Sequence, residues 1–439
     1  MLSTNPPKWT FDRYPQEYQI RKYIFDTWRK VCIRFWYQEY LWPLVESAEI
    51  WKAKSWEDVW WSELTRITNR EWEISDLALR PEMTPTVTRM VAKNYAQLAK
   101  PIRYFSIANF YRNERPQRWR NREFWQLNVD MFGADSIYAD IEILTLAMSI
   151  MIEFNAPKWS WKLNINNRYI IDDVISSLWI SDEIKKEVTR LMDKREKLPQ
   201  AEIEEIFVEK WLNKDQIEKI VKYMKVETLE ELIKEFPNLE WSKWITDTQK
   251  IIKTLNELWY WEYVEFKSSL IRGFDYYDGV VFEMFDTHPD NKRALFWWWR
   301  YNWLSKIFIK DDVPAVWFAP GDETTKLFLE SRWMLDSIRE KTTNEKIYAP
   351  IIEEWFGNDI FNISKKLRLE WKNIITWLEV QKFWKAIQYA DKQWFNEILI
   401  LWENEKKEWI YKIKNLKTWE EKNIIYKKGL REYSPKASR

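Results

Sequence analysis

Residues 110 to 126 read FYRNERPQRWRNREFWQ, and five arginines, Arg112, Arg115, Arg118, Arg120 and Arg122, crowd there between two strand-like ends. A guanidinium fork matches phosphate oxygens two at a time, so this segment could hold a polyphosphate; the same residues also read as a solvated charged hairpin. Upstream, LALRPEMTPTVTRM places Glu82 and Thr84 just past a strand end, with Arg80 and Arg89 nearby. A carboxylate and a hydroxyl there could hold an ammonium group. The Thr-Pro pair reads equally as a helix start, with Thr84 as its cap and Pro85 at the first position. Further on, SSLIRGFDYYDGVVFE sets Arg272, Asp275, Tyr276 and Tyr277 around Gly273 and Gly279, strand alternating with tight turn. Neighbouring strand residues face opposite ways, so at most one of the two tyrosines shares a pocket with Arg272, and a core role fits Tyr276.

Other chemistries are excluded by composition. The 439 residues include one cysteine, Cys32, and one histidine, His288, which rules out a disulfide framework and a Cys/His zinc cluster. His288 lies in the polar turn FDTHPDN, so Ser-His-Asp and Cys-His nucleophilic mechanisms are not expected. Catalysis must rest on Arg, Lys, Glu, Asp and Tyr. The net charge of +1 gives no global field to steer nucleic acid, so any RNA contact must use local basic patches. No run of 18 apolar residues occurs, and the start of the chain lacks a secretory pattern. A reducing cytoplasm and no membrane are the expectation.

The elements that must position these residues are legible from periodicity. EYQIRKYIFDTWRKVCIRF, residues 17 to 35, carries apolar side chains at helical spacing and feeds an extended EYLWPLVE, where Pro43 marks an edge or strand end. Strand-like pieces recur in LALRP, RYFSIANFYR, REFWQLNVDMFG, VEFKSSLIRG, VVFEMF and PAVWFAPG, separated by helices without strict alternation. That predicts an α+β domain on a mixed, largely antiparallel sheet over residues 1–330. Within it, about 170–240 is charged and helical and reads as an insertion. A polar linker, 331–345, leads to 346–425, where strand and helix alternate as in a small α/β domain with a parallel core. The last stretch, 426–439, is a basic tail.

The chain also carries 33 tryptophans and six glycines, where ordinary usage predicts roughly 31 glycines. Trp36, Trp211, Trp259, Trp371 and Trp394 stand where a helical period stops and a strand-like run begins, the place of a left-handed residue that glycine adopts freely and tryptophan does not. Trp297, Trp298 and Trp299 are consecutive, with Trp303 close by, and have no ordinary packing rationale in a soluble chain. The pattern reads as glycine codons rendered as tryptophan: some bacteria read UGA as glycine, and an alternative translation table gives tryptophan. Trp28, Trp51 and Trp125 read as authentic, and Trp42, Trp161, Trp244 and Trp355 are left open.

Taken in order, these segments resemble the histidyl-tRNA synthetase family of class II aminoacyl-tRNA synthetases over nearly the whole chain. The resemblance runs from PPKWTFDRYP and RKVCIRFWYQEYLWP, with the motif 1 proline at Pro43, through LRPEMTPTVTRM and motif 2 in YRNERPQRWRNREFWQ, to RGFDYY and WWWRYNWL. Glycine is the family's residue at Trp9, Trp36, Trp119, Trp303 and at or near Trp297 to Trp299. The resemblance implies an enzyme, a histidine–tRNA ligase with ATP and Mg2+, L-histidine and tRNA(His) as partners, a homodimer, and an anticodon-binding C-terminal domain. It implies that Arg112 binds the ATP α-phosphate, with Glu114 also at the nucleotide, and that Arg272 stabilises charge growing there. Glu82, Thr84 and Gln126 would hold the α-amino group. Asp130, where the family more often has glutamate, would read the imidazole with Tyr277, and Tyr276 would belong to the same site. Thr324 follows Glu323 where motif 3 normally ends in Glu-Arg, which puts the γ-phosphate clamp in doubt. The rival reading is a non-aminoacylating regulator of the ATP phosphoribosyltransferase type, which keeps the fold.

Overall fold

The computed structural model describes residues 3–54, 64–113, 121–193, 200–210, 212–271, 278–291, 294–335 and 346–426. Its contacts divide the chain into two units, Met1–Trp333 and Met334–Arg439.

The strands of the first unit are β1 (Gln38–Glu39), β2 (Val45–Ser47), β3 (Thr65–Thr68), β4 (Ile74–Leu79), β5 (Ile102–Tyr111), β6 (Glu123–Phe132), β7 (Trp161–Asn167), β8 (Val264–Phe266), β9 (Asp278–Asp286), β10 (Ala294–Arg300) and β11 (Ala315–Pro320). Eight form one sheet in the order β1-β5-β6-β11-β10-β9-β7-β8. Its edge pairs, β1 with β5 and β7 with β8, are parallel and the rest antiparallel. The expected mixed, largely antiparallel sheet is therefore present. β2, β4 and β3 make a small separate sheet. Two strands of the large sheet, β7 and β10, lie outside the segments that sequence pattern picks out.

The sheet has two unlike faces because side chains alternate along each strand. On one face, Phe105, Val129 and Met131 lie under helices Pro15–Arg34 and Ile137–Glu153; Trp125 of that face meets Phe25 of the first helix with ring centroids 5.3 Å apart. On the other, Ala108, Phe110, Trp299, Trp317 and Ala319 pack against Met83, Val87 and Val91, the buried stripe of helix Thr84–Asn94. Between Arg168 and Glu257 six helices build a layer with its own core, from Ile170 to Ile245, shared with Phe266 and Ile271.

The second unit orders its strands β13-β12-β14-β15-β16, namely β12 (Lys346–Ile351), β13 (Asn373–Val380), β14 (Glu397–Ile400), β15 (Ile410–Asn415) and β16 (Glu421–Ile425). β13, β12 and β14 are parallel, joined through helices Gly357–Leu369 and Phe383–Lys392, as the alternation predicts; β15 and β16 add an antiparallel hairpin.

Several helix ends and turns are closed by tryptophan. Among the described residues eleven non-glycine positions have a left-handed φ, and ten are tryptophan: Trp9, Trp36, Trp72, Trp179, Trp259, Trp333, Trp371, Trp394, Trp409 and Trp419. After helix Gly357–Leu369, Trp371 N–H donates to the Arg368 carbonyl at 3.1 Å and Lys372 N–H to that of Leu367 at 2.9 Å, the paired bonds of a Schellman end. The same pair recurs at Trp36, Trp259 and Trp394. These indoles pack on almost nothing, with 93% of Trp371 and 81% of Trp36 exposed. Four helix-end positions singled out by sequence are thus left-handed; Trp211 and Trp119 lie outside the described residues. Trp297 to Trp299 differ, because they sit in β10 with ordinary strand backbone. Backbone freedom is not what they need, and their anomaly is one of space.

Candidate active site

Gln126, Asn128 and Asp130 alternate along β6 and so share one face, the face covered by helix Thr84–Asn94. Directly opposite on β5 stand Ala108, Ser106 and Tyr104. On the other side Asp130 is paired with Trp317 of β11, which faces Trp299 of β10, and Gln126 bridges to Gly321. A strip of polar groups therefore runs along β6 beneath the helix.

At one end of the strip is Arg112, just past β5. Its backbone N–H extends the ladder to the Arg122 carbonyl at 2.9 Å. Its Nε donates to the Pro81 carbonyl at 3.0 Å, and its guanidinium lies 5.0 Å over the Phe124 ring. Those contacts hold the fork at the end of β6 that carries Gln126. Behind it, Arg80 is a structural cation rather than a ligand group: it donates to the carbonyls of Asn109 (2.8 Å) and Trp42 (3.0 Å) and to the Asn109 side chain (2.9 Å), and its burial lowers its pKa. Arg89 is engaged with Glu46 at 2.7 Å.

Glu82 and Thr84 follow Pro81, whose carbonyl Arg112 holds. Thr84 is buried and is the first residue of helix Thr84–Asn94, whose N-cap is Met83 with no side-chain cap. Sequence reading made Thr84 the cap; the helix begins one residue earlier than that, so Pro85 falls at its second position and the Thr84 side chain is not used in capping.

At the far end, Asp130 is buried, and Tyr301 donates its hydroxyl to Oδ1 at 2.8 Å. Burial pushes the Asp130 carboxyl up to about 7, against the opposing pull of the Tyr301 hydrogen bond. Oδ2 has no hydrogen-bond partner among the described residues. Over this end the Trp299 and Trp317 rings meet edge to face with centroids 4.9 Å apart, and the buried Trp317 Nε1 has no acceptor among the described residues. Two bulky indoles thus fill the space above the Asp130 carboxylate. Trp317 escapes sequence reasoning because nothing in PAVWFAPG marks it as unusual beyond its type.

Arg272, Tyr276, Tyr277 and Glu114 lie outside the described residues. Their flanks are placed: Leu270 joins the cluster of Met83, Val87 and Trp317, and β9 starts at Asp278, paired with Arg300. Arg300 is itself locked to buried Asp140 by two bonds of 2.8 and 2.9 Å. Thr324 donates to the Gly321 carbonyl at 3.1 Å. Among the described residues, two cations near Thr324 are engaged by carboxylates. Arg21 is bound to Asp322 at 2.6 Å and Arg13 to Glu323, and Arg21 approaches β6 on the Trp125 face, away from Gln126.

Comparison with known proteins gives this arrangement a family. The histidyl-tRNA synthetase family matches residues 10–321. The histidine–tRNA ligase of Leptospira biflexa is 35% identical over 409 residues, 92% of each chain, and that of Pyrococcus horikoshii is 28% identical over 95% of each. Among solved structures, a histidyl-tRNA synthetase from Nostoc sp. PCC 7120 superposes with a TM-score of 0.81 over 97% of both chains at 21% identity, a likeness of fold.

Proposed function

This chain belongs to the histidyl-tRNA synthetase family, and we propose on that premise how its residues perform the work of an ATP-dependent histidine–tRNA ligase. The observation that carries the proposal is the strip along β6, with an arginine fork at one end and a buried carboxylate at the other. An amino acid lying along it has its carboxylate near Arg112 and its ring against Asp130. Glu82, Thr84 and Gln126 take the ammonium group between them, and Tyr277 joins Asp130 at the imidazole, with Tyr276 beside it.

The first step forms a bond from a histidine carboxylate oxygen to the α-phosphorus of ATP and releases pyrophosphate. Arg112 and Arg272 supply fixed positive charge where negative charge grows on the phosphoryl oxygens, with Glu114 at the nucleotide. Magnesium enters with ATP as part of the substrate. In the second step the 3′-terminal ribose hydroxyl of tRNA(His) attacks the adenylate carbonyl and AMP leaves. No protein nucleophile is required.

The domain roles follow the same reading: residues 1–330 activate histidine, with a helical insertion at about 170–240, and 346–425 recognise the anticodon, with 331–345 as linker and 426–439 as tail. A homodimer through the segment around Pro43 and a cytoplasmic location complete it. No helix among the described residues is long and apolar enough to cross a membrane.

The active molecule carries glycine at the left-handed tryptophan positions and at Trp297, Trp298, Trp299, Trp303 and Trp317. Support comes from the ten left-handed tryptophans and from the indoles packed over Asp130. Histidine-dependent ATP–pyrophosphate exchange tests the whole reading. The chain with glycine at 297–299, 303 and 317 should exchange and charge tRNA(His), whereas the chain as written should be at least 100-fold slower because overpacking blocks the pocket. A folded glycine-bearing chain without exchange refutes the assignment. Mass spectrometry of the protein from its own cell reads the residues directly.

A further inference from the structure

The pairing of β6 with β11 does not stop where β11 stops. The two strands keep one antiparallel register, from Ala315 with Phe132 to Phe318 with Val129, and the separate bridge of Gly321 to Gln126 keeps it too. One rung further, Asp322 falls opposite Trp125, but there the chain turns into helix Asp322–Ser331 and the ladder loses its second strand. The Asp322 side chain takes the rung instead: its Oδ1 accepts the Trp125 N–H at 3.1 Å. Its Oδ2 meets Arg21 of helix Pro15–Arg34 at 2.6 Å, and that guanidinium lies 6.0 Å from the centre of the Trp125 ring. Asp322 is buried. Burial raises its carboxyl above the usual carboxylate range, and the charge of Arg21 opposes the rise.

A backbone N–H left dry at a strand end is costly, so an acceptor built into that place holds the strand as well as satisfying it. An ionised acceptor makes a stronger bond than a carbonyl does, and Arg21 favours the ionised form. The bond lies one residue before Gln126. Trp125 faces helix Pro15–Arg34, from which Arg21 comes, whereas Gln126 lies on the face covered by helix Thr84–Asn94. The tie therefore acts on the backbone that aims Gln126, from outside the site.

We infer that Asp322, paired with Arg21, is a positioning residue for the amino-acid site: by pinning β6 at Trp125 it fixes the place from which Gln126 reaches the ammonium group of the substrate. The inference rests on the assignment of Gln126 in the reading above. Asp322 acts only through the strand.

The test is histidine-dependent ATP–pyrophosphate exchange on the full chain with glycine at 297–299, 303 and 317, arranged as a double-mutant cycle of Asp322→Ala and Gln126→Ala. Each single change should raise KM for histidine by roughly tenfold or more, the worth of one hydrogen bond to a charged group, with KM for ATP unchanged within about twofold. The double variant should match Gln126→Ala alone within about twofold, because Asp322 then has nothing left to position. Asp322→Asn keeps an oxygen for the Trp125 N–H and should stay within about threefold of the parent. Should Asp322→Ala not fold, Asp322→Leu, which keeps the shape and removes the acceptor, takes its place in the cycle. If the two losses multiply in the double variant, if Asp322→Ala leaves KM for histidine unchanged, or if Asp322→Asn is as impaired as Asp322→Ala, the inference is wrong while the ligase assignment stands. If Gln126→Ala has no effect in a parent that exchanges, the role of Gln126 falls and takes this inference with it. A folded parent without exchange removes the ligase assignment and the inference together.

Discussion

Replacing Trp371 by glycine should stabilise the second unit, and replacing Trp384 by glycine should destabilise it. Trp371 has φ +62° and is 93% exposed, so its indole contributes almost no packing to offset the backbone. Holding an L-residue in the left-handed region costs about 1–2 kcal/mol. Glycine removes that cost but is freer in the unfolded chain, which returns about 0.5–1 kcal/mol. The net gain is about 0.5–1 kcal/mol, or roughly 2–6 °C in the melting temperature of a unit of this size. Trp384 is also exposed, at 71%, but is the second residue of helix Phe383–Lys392, with helical backbone; there glycine costs up to about 0.5 kcal/mol, less than in a helix interior. Differential scanning calorimetry of the full chain, following the transition of the second unit, reads both variants without depending on tryptophan emission. Opposite signs for one chemical change are the expected result. A fall in stability for Trp371→Gly, or shifts of the same sign in both, would refute the backbone argument.

Asp130→Asn should change the pH dependence of stability. The folded carboxyl is raised to about 7 by burial against about 3.9 unfolded, so the folded state binds more protons between those values and stability falls as pH rises through them. The gain of Asp130→Asn over wild type should then grow from pH 4 to pH 7 toward a limit of about 4 kcal/mol; a difference independent of pH in urea titrations speaks against it. Arg80→Ala strands the Trp42 and Asn109 carbonyls and should cost about 2–4 kcal/mol, read from the urea midpoint. Arg112→Ala in the glycine-bearing chain should lower the exchange rate by about 100-fold or more with a stability change under about 1 kcal/mol; comparable losses of both would make Arg112 structural.

How much of this was legible depends on which physical signal each residue leaves in sequence. Helix Pro15–Arg34 announces itself through Ile20, Ile24, Trp28 and Val31, all buried on one stripe. β5 and β6 do so through long apolar runs, and Arg112, Gln126 and Asp130 follow from resemblance once those strands are in place. β10 does not, because Trp297 to Trp299 carry none of the alternation that marks a strand with one polar face. β7 reads WKLNINN, whose asparagines look like a turn until Asn166 is seen donating to the Ser268 and Leu270 carbonyls. Thr84 was misread because a Thr-Pro pair fits two helix frames that differ by one residue. Sequence gives Arg80 only a place beside Glu82 and Thr84, and its three bonds to residues 42 and 109 show it to be part of the scaffold. Asp322 is invisible without the register, since an ordinary residue becomes informative only when the fold brings its polar atoms to an open rung.

The odd and even residues of β6 lead separate lives: Trp125, Leu127 and Val129 face helix Pro15–Arg34 and helix Ile137–Glu153, while Gln126, Asn128 and Asp130 share the face covered by helix Thr84–Asn94. Inserting or deleting one residue at the start of this strand would exchange the two populations, putting leucine and valine on the face of the proposed site and the carboxylate against the helices of the opposite face. The spacing of residues through these ten positions is therefore as much a part of the proposed site as the side chains themselves.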